Sequence, residues 1–228
     1  MVRNQQRSYR KPLLFALLFT LVLASGCVTT PETLNDLSAR FAILPVMNNT
    51  NDLDGAVFIR RDLNHIIRNR SYKTKSLEKI DETLRNKLGI TLGGQLDFNN
   101  PGAGAPSPKE IGELLDVDGL FYVTLVDFNQ VITGVYNNKT VSAKLQLVDA
   151  RTGEVVWQNE AQESRSELYT TTSEAKESFV RTLAETVVQK ALKVNPLHAE
   201  TKAVVLRLLN TLPPETVIIT DREKSYHD

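Results

Sequence analysis

The strongest constraint on this chain is a stretch that sits outside whatever it folds. Leu13 to Ala24, LLFALLFTLVLA, is apolar at every position but Thr20. Arg3, Arg7, Arg10 and Lys11 precede it, and Ala24-Ser25-Gly26-Cys27 closes it. A run of 12 residues falls short of the ~20 that a membrane-spanning helix needs. A basic start, a short apolar run and small residues at the break are the order of a secretory signal, cleaved here before Cys27. Folding is left to the remainder. Residues 1–26 hold four basic residues and no acidic one, so 27 Lys+Arg against 27 Asp+Glu becomes 23 against 27, net −4. A mildly acidic surface lacks the electrostatic footprint of a nucleic-acid binder. Cys27 is the one cysteine, which excludes an internal disulfide and a cysteine-rich zinc site. A hydrophobic fraction of 41%, with eight Phe and six Tyr, supplies enough for a packed core.

The break itself resembles the bacterial lipobox, with Ala24 three residues before the cysteine where Leu is commoner. That resemblance implies diacylglycerol on the Cys27 sulfur and a fatty acid such as palmitate on its new amine. Two or three acyl chains anchor a protein stably where one does not. Val28, not Asp, follows the cysteine, which implies onward transport to the outer membrane. The expected organisation is a signal peptide at 1–26, a lipid tether at 27–38, a periplasmic α/β domain at 39–193, and a C-terminal helical extension and tail at 194–228.

Within the domain, Arg40 to Val46 (RFAILPV) reads as a buried strand, and Met47 to Asp52 as its exit loop. A helix follows to about Asn69, with Ala56, Ile59, Leu63, Ile66 and Ile67 on one face. Ser71 to Lys75 suits a short second strand. Leu77 to Lys87 suits a helix with Ile80, Leu84 and Leu88 inward. Gly89 to Ser107 holds five Gly and two Pro without a helical period and reads as a long exposed loop. Ser107-Pro108-Lys109-Glu110 is a capping box that opens a short helix to about Leu115. Three strands come next: Gly119–Gln130, Thr140–Val148 and Val155–Ala161, with turns at Tyr136–Lys139 and Asp149–Glu154. Thr171 and Glu174 cap a helix to about Lys193 whose apolar face is Ala175, Phe179, Leu183, Val187 and Ala191. Ala199–Leu212 forms a last helix before Pro213-Pro214, and Thr216–Thr220 is an edge strand or an unpaired apolar stretch. The fold class expected is α/β: a single mixed-sheet domain, βαβα and then an antiparallel three-strand meander, with flanking helices.

Residues able to do chemistry are few. His65, His198 and His227 have no neighbours at metal-ligand spacing, and His65 falls on the outward face of its helix. There is no Gly-x-Ser-x-Gly elbow and no His-Glu-x-x-His pair. Leu92-Gly93-Gly94 and Gly102-Ala103-Gly104 are spaced wrongly for a phosphate loop, and a flexible loop accounts for them better. Asp81-Glu82, Asp116, Asp118 and Asp127 are acids that could be paired. Glu82 faces solvent near Arg85, Asp116 and Asp118 bracket a helix-to-strand turn, and Asp127 within an aromatic strand suits a hydrogen-bonding role. Phe121, Tyr122, Phe128 and Trp157 read as core and cross-strand packing, with a recognition face as the sharper alternative. No catalytic residue, cofactor or metal is expected, and Cys27, as lipidation site, is the one site residue.

Four stretches resemble a known family. They are Ile43-Leu44-Pro45-Val46-Met47-Asn48-Asn49-Thr50, Asp81-Glu82-Thr83-Leu84-Arg85, Val117-Asp118-Gly119-Leu120-Phe121-Tyr122-Val123-Thr124, and Leu147-Val148-Asp149-Ala150-Arg151-Thr152-Gly153-Glu154-Val155-Val156-Trp157. The resemblance is to the GNA-type bacterial outer-membrane lipoproteins. It covers about residues 27–165 and lapses after about Ser173. Related periplasmic domains include the amino-terminal domain of TolB, the curli-channel lipoprotein CsgG and the lipoprotein activator of penicillin-binding proteins. The resemblance implies a non-enzymatic accessory subunit of an envelope assembly or export complex, with a CsgG-like lipoprotein as partner and a homo-oligomer as a further possibility. Activation of a peptidoglycan synthase is the alternative, and a small-ligand site under loop 89–107 a third.

Overall fold

The computed structural model describes residues 40–97, 104–133, 135–168, 171–192, 194–215 and Ile218. Cys27, His227 and the Gly102-Ala103 pair lie outside these residues. Two short strands, β1 (Phe41–Ile43) and β2 (Met47–Asn48), lie along the same side of β3 (Gly119–Ile132). Both run parallel to it, with Phe41 opposite Gly119 and Met47 opposite Thr124. The single strand expected over Arg40–Val46 is thus two pieces, because the step from Ile43 to Met47 has one residue more than the step from Phe121 to Thr124 opposite it, a bulge at which proline is tolerated. Met47 and Asn48, expected in the exit loop, form the second piece. Strand β4 (Tyr136–Asp149) pairs antiparallel with β3, and β5 (Val155–Leu168) antiparallel with β4.

The expected meander is present, but β4 starts earlier and β5 ends later than the sequence suggests. Tyr136–Lys139 is strand, not turn. The chain reverses just before it, where the Thr133 N–H donates to the Tyr136 carbonyl at 2.7 Å. Asn138 is tolerated in the ladder because its side chain finds cross-strand partners: Ser164 and Ser166 hydroxyls each donate to its Oδ1 at 3.0 Å. The same pairing carries the polar end of β5, which has little strand preference of its own. Ser71–Lys75 is not a strand. Only Thr74 bridges Phe41. Around it the Lys75 N–H donates to the Phe41 carbonyl at 2.9 Å.

Helices cover both faces of the sheet. Helix α1 (Gly55–Asn69) and helix α5 (His198–Leu208, continued by a 3-10 turn at Leu209–Thr211) lie on one face. Phe58, Ile59, Leu63 and Ile67 of α1, with Val204, Val205 and Leu208 of α5, bury Phe41, Ile43, Phe121, Val123, Leu145 and Leu147. Helix α2 (Leu77–Leu88) and helix α3 (Pro108–Leu115) lie on the other. Ile80, Leu84, Ile111 and Leu115 bury Ala42, Leu44, Leu120, Tyr122 and Val148. Odd and even positions of β1 and β3 go to opposite faces, as the strand period of two requires. Leu88, expected inward, is 40% exposed at the end of α2. The Ser107 capping box forms as expected: the Glu110 N–H donates to Ser107 Oγ at 3.2 Å and the Ser107 N–H to Glu110 Oε2 at 2.7 Å.

Two departures concern loops. Residues 89–97 are folded, not exposed throughout: Ile90 and Leu96 are buried, and Gly93–Leu96 is a 3-10 turn. A Cβ at Gly93 would stand 2.0 Å from the Val46 carbonyl oxygen, so glycine is needed there for close approach to the β1–β2 break. Helix α5 lies past residue 193 yet shares the core of α1 and the sheet, together with Leu197 and Leu212. Of Thr216–Thr220 only Ile218 is described; it is buried, and its N–H reaches back to the Pro214 carbonyl as in a helical turn.

Candidate functional site

Helix α4 (Thr172–Ala191) is the element the sequence oriented wrongly. Its first turn is capped by Thr171, whose Oγ1 accepts from the Glu174 N–H at 3.3 Å. The apolar stripe expected to face the core is turned outward: Phe179 is 39%, Leu183 44% and Val187 68% exposed, beside Val180 and Val188. The Ala175 side chain lies outside the described residues, and Ala191 is exposed. The buried positions on α4 are Ser178 and Thr182. The physical reason is occupancy. Helices α1 and α5 already fill the apolar sheet face, so the stripe of α4 has no core left to cover. An exposed run of this size on a helix marks a contact surface.

A second feature is a cleft of about 550 Å³ outside the carboxyl end of β2. Asn49–Asp52 form one wall, Val126–Gln130 and Ile132 of β3 another, and Pro196-Leu197 the third. The first wall is stiff. Asn48 Oδ1 accepts from the Thr50 N–H (3.0 Å) and hydroxyl (2.7 Å), while its amide donates to the Asp52 carbonyl at 2.8 Å. Asp52 Oδ1 takes the N–H groups of Asp54 (3.0 Å) and Gly55 (2.7 Å), which sets a carboxylate at the start of α1. Gly55 allows that start to sit on the Phe128 ring, where a Cβ would come within 2.8 Å of Cγ.

The β3 wall carries a register shift between Leu125 and Asp127. Beyond it β3 has a partner on one side alone. The last bond from the β2 side is the Asn49 N–H to the Leu125 carbonyl at 3.0 Å. Asp127, for which the sequence suggested a hydrogen-bonding role, is half-buried and its carboxylate has no partner among the described residues. By contrast the hollow beside Gly93 and Leu96 measures about 10 Å³, no more than the room of one water.

The remaining acids are structural. Asp81 sits against the buried Arg60, with Nη1 donating to Oδ2 at 2.9 Å and lying 2.8 Å from Oδ1. The same guanidinium donates from Nε (3.2 Å) and Nη2 (2.8 Å) to the Ile43 carbonyl. Burial lowers the Arg60 pKa and Asp81 opposes that shift. Sequence reasoning missed Arg60; the signal was a cation flanked by Ile59 and Leu63 in the buried stripe. Glu82 is exposed, as expected. Asp116 ends α3 at φ 52°, and Asp118 pairs with Arg40 at 3.5 Å; the two do not form a joint site.

His65 is exposed and 3.2 Å from the Asn69 amide, and His198 is exposed. Phe121, Tyr122 and Phe128 are buried, so they form no recognition face. Phe121 belongs to an aromatic group with Phe41 and Tyr72, at centroid distances of 5.9 and 6.1 Å. Burial raises the Tyr122 and Tyr72 pKa values. Trp157 packs on the core and its Nε1 donates to Thr211 at 3.3 Å. Among the described residues no group of three or more His, Cys, Asp or Glu could hold a metal, and no helix is long and apolar enough to cross a membrane.

One mixed sheet, half parallel and half meander, with helices on both faces, places the molecule among small α/β domains of the bacterial lipoprotein type. Residues 37–219 match the family described as "Putative lipoprotein GNA1162-like", and the chain belongs to that family. The match runs well past Ser173, so the lapse expected there does not occur. No curated protein matches the chain. The solved structure of lipoprotein GNA1162 from Neisseria meningitidis is similar in fold, with a TM-score of 0.50 at 19% identity, over 68% of this chain and 99% of that one. Weaker likenesses are to the PelC dodecamer of Paraburkholderia phytofirmans (TM-score 0.41, 12% identity, 75% of this chain and 85% of that one) and to E. coli LpoB (0.38, 14%, 57% of each).

Proposed function

We propose that this protein is a non-enzymatic accessory subunit of an envelope assembly or export complex. It is held at the periplasmic face of the outer membrane by lipid on Cys27, with a CsgG-like lipoprotein as its partner. The observation that supports this reading is α4: a 20-residue helix whose Phe179, Val180, Leu183 and Val187 face outward while Ser178 and Thr182 face in. A soluble domain exposes such a stripe where another protein covers it. Family membership supports the lipid anchor. The acids with an assigned partner in the domain are engaged in holding it together, as Asp81 is with Arg60.

The test is a photo-crosslinking amino acid placed at Leu183 of the full-length lipoprotein in cells, followed by outer-membrane purification and mass spectrometry. Capture of a channel-type lipoprotein bears the reading out. Capture of a peptidoglycan synthase instead replaces it with the activator reading. Leu183 yielding only the uncrosslinked chain overturns α4 as the contact.

A further inference from the structure

The sheet is unfinished at one place. Strand β3 runs 14 residues, but its parallel neighbour stops where Asn48 pairs with Leu125. From Val126 to Ile132 the strand is bonded to β4 alone. Alternate residues of this stretch turn their N–H and C=O groups toward the vacant side, and that side is a wall of the 550 Å³ cleft. Seven residues of strand span about 23 Å. No described residue donates to or accepts from this edge, and none of its residues has a further unassigned interaction. Native sheets cover, twist or charge such an edge because it pairs with any extended chain that reaches it.

Here no lysine or proline protects the edge, whose sequence is Val126-Asp127-Phe128-Asn129-Gln130-Val131-Ile132; the Val126, Asn129 and Val131 side chains are exposed and Phe128 is buried under the start of α1. The Asn49 and Asn51 side chains stand across the cleft without hydrogen-bond partners. Asp127 supplies the one ionised group without a counter-ion on the walls, since Asp52 is spent on the start of α1. An anion is disfavoured: the Asp52 carboxylate already takes two N–H groups of that helix start, and Asp127 repels it. A free main-chain edge asks for alternating donors and acceptors at strand spacing, which a polypeptide supplies.

We infer that the cleft binds an extended segment of a partner protein by strand addition to the Val126–Ile132 edge of β3, with a Lys or Arg of that segment set against Asp127. Main-chain bonds supply the affinity, Asn49 and Asn51 engage the outer side of the added strand, and Asp127 selects the charge. The inference takes the source of the segment from the reading of the chain as an assembly subunit; its geometry is independent of that reading and of α4.

The probe is a ten-residue peptide of alternating Thr and Ser with one central Lys, titrated into the lipid-free mature chain and followed by backbone NMR and amide exchange. The amides of residues 127–132 should shift, and those facing the cleft should exchange at least tenfold more slowly. Replacing the central Lys by Glu should weaken binding at least fivefold, and Asp127→Lys should invert that preference. Asp127 is half-exposed and without partners, so the variant folds. No shift at millimolar peptide, or a charge preference that Asp127→Lys leaves unchanged, overturns the inference, as does chitotetraose shifting these amides where the peptide does not. A photo-crosslinker at Asn129 in cells separates the two readings. Capture at Leu183 with none at Asn129 sinks strand addition and leaves the assembly role standing.

Discussion

Replacing Arg60 by Met should cost the fold about 3 kcal/mol, and the sum can be followed group by group. The side chain makes three hydrogen bonds: two to the Ile43 carbonyl and one to Asp81. Ile43 faces the outer side of β1, where the Lys75 N–H serves Phe41 two residues earlier. Nothing else serves Ile43. Met keeps the volume of the stem, so little packing is lost, but the Ile43 carbonyl is left buried and unpaired, worth about 1–3 kcal/mol. Breaking a buried ion pair costs about 3–5 kcal/mol when the survivor stays buried. That figure is too large here, since Asp81 is 37% exposed and rehydrates. The carbonyl term therefore dominates. For a domain of this size about 3 kcal/mol lowers Tm by roughly 6–12 °C. Asp81→Asn should cost about 1 kcal/mol, because Arg60 keeps the carbonyl and an amide oxygen still accepts from it. Urea unfolding of the mature chain, followed by circular dichroism, measures both, and the double variant gives the coupling. Equal losses for Arg60→Met and Asp81→Asn would show that the ion pair, not the carbonyl, is what Arg60 stabilises, and a loss under 1 kcal/mol for Arg60→Met would refute the whole account.

Three further outcomes are expected. Gly93→Ala drives a methyl group into the Val46 carbonyl and should destabilise by about 2–3 kcal/mol, while Gly94→Ala, with open space around it, should be near neutral; thermal melts distinguish them. Glu110 accepts from the Ser107 N–H and hydroxyl, which holds its carboxyl below the usual range. A depressed carboxyl stabilises fully above its unfolded pKa of about 4.3, and the contribution is lost as pH falls through the folded value. Glu110→Gln should lower Tm slightly at neutral pH and converge with the parent in acid, which flattens the acid limb of Tm against pH, whereas an unaltered acid limb would remove the capping box from the account. Cys27→Ser should move the protein from the detergent phase to the aqueous phase in a Triton X-114 partition; retention in the detergent phase would rule out lipidation at Cys27.

Legibility followed the range of the physics involved. Local signals were read well: the Ser107–Glu110 box and the period of α1 with Ile59, Leu63 and Ile67 buried appear where the residues placed them, and the three-strand meander has the expected order with longer second and third strands. Signals that depend on a distant partner were not. Asn137 and Asn138 look like a turn until Gln130 donates to the first and Ser164 and Ser166 to the second across the ladder. Gly93 looks like slack until Val46 passes 2.0 Å from where its Cβ would be. Arg60 looks like a surface cation until the Ile43 carbonyl, on the outer side of β1 where Lys75 serves Phe41, is left for it to hold.

The same argument explains why neither candidate contact surface was visible in the chain. Periodicity states that α4 has an apolar face, but it cannot state whether the sheet still has room for one. Two helices, α1 and α5, compete for the same sheet face, and α5 carries Val204, Val205, Leu208 and Leu212 into it. Helix α4 brings Phe179 and Leu183 flanked by Lys176 and Arg181. Helix α5 takes the core even though Glu200 and Thr201 are buried with its apolar residues, and α4 keeps its stripe in water. The open edge of β3 has a parallel cause. The bulge at Pro45 interrupts the parallel pairing, Asp52 turns the chain into α1 four residues past Asn48, and β3, held by β4, runs on without a neighbour. In both places the described domain completes its own core and leaves outside it an element with bonds or apolar surface still open to contact.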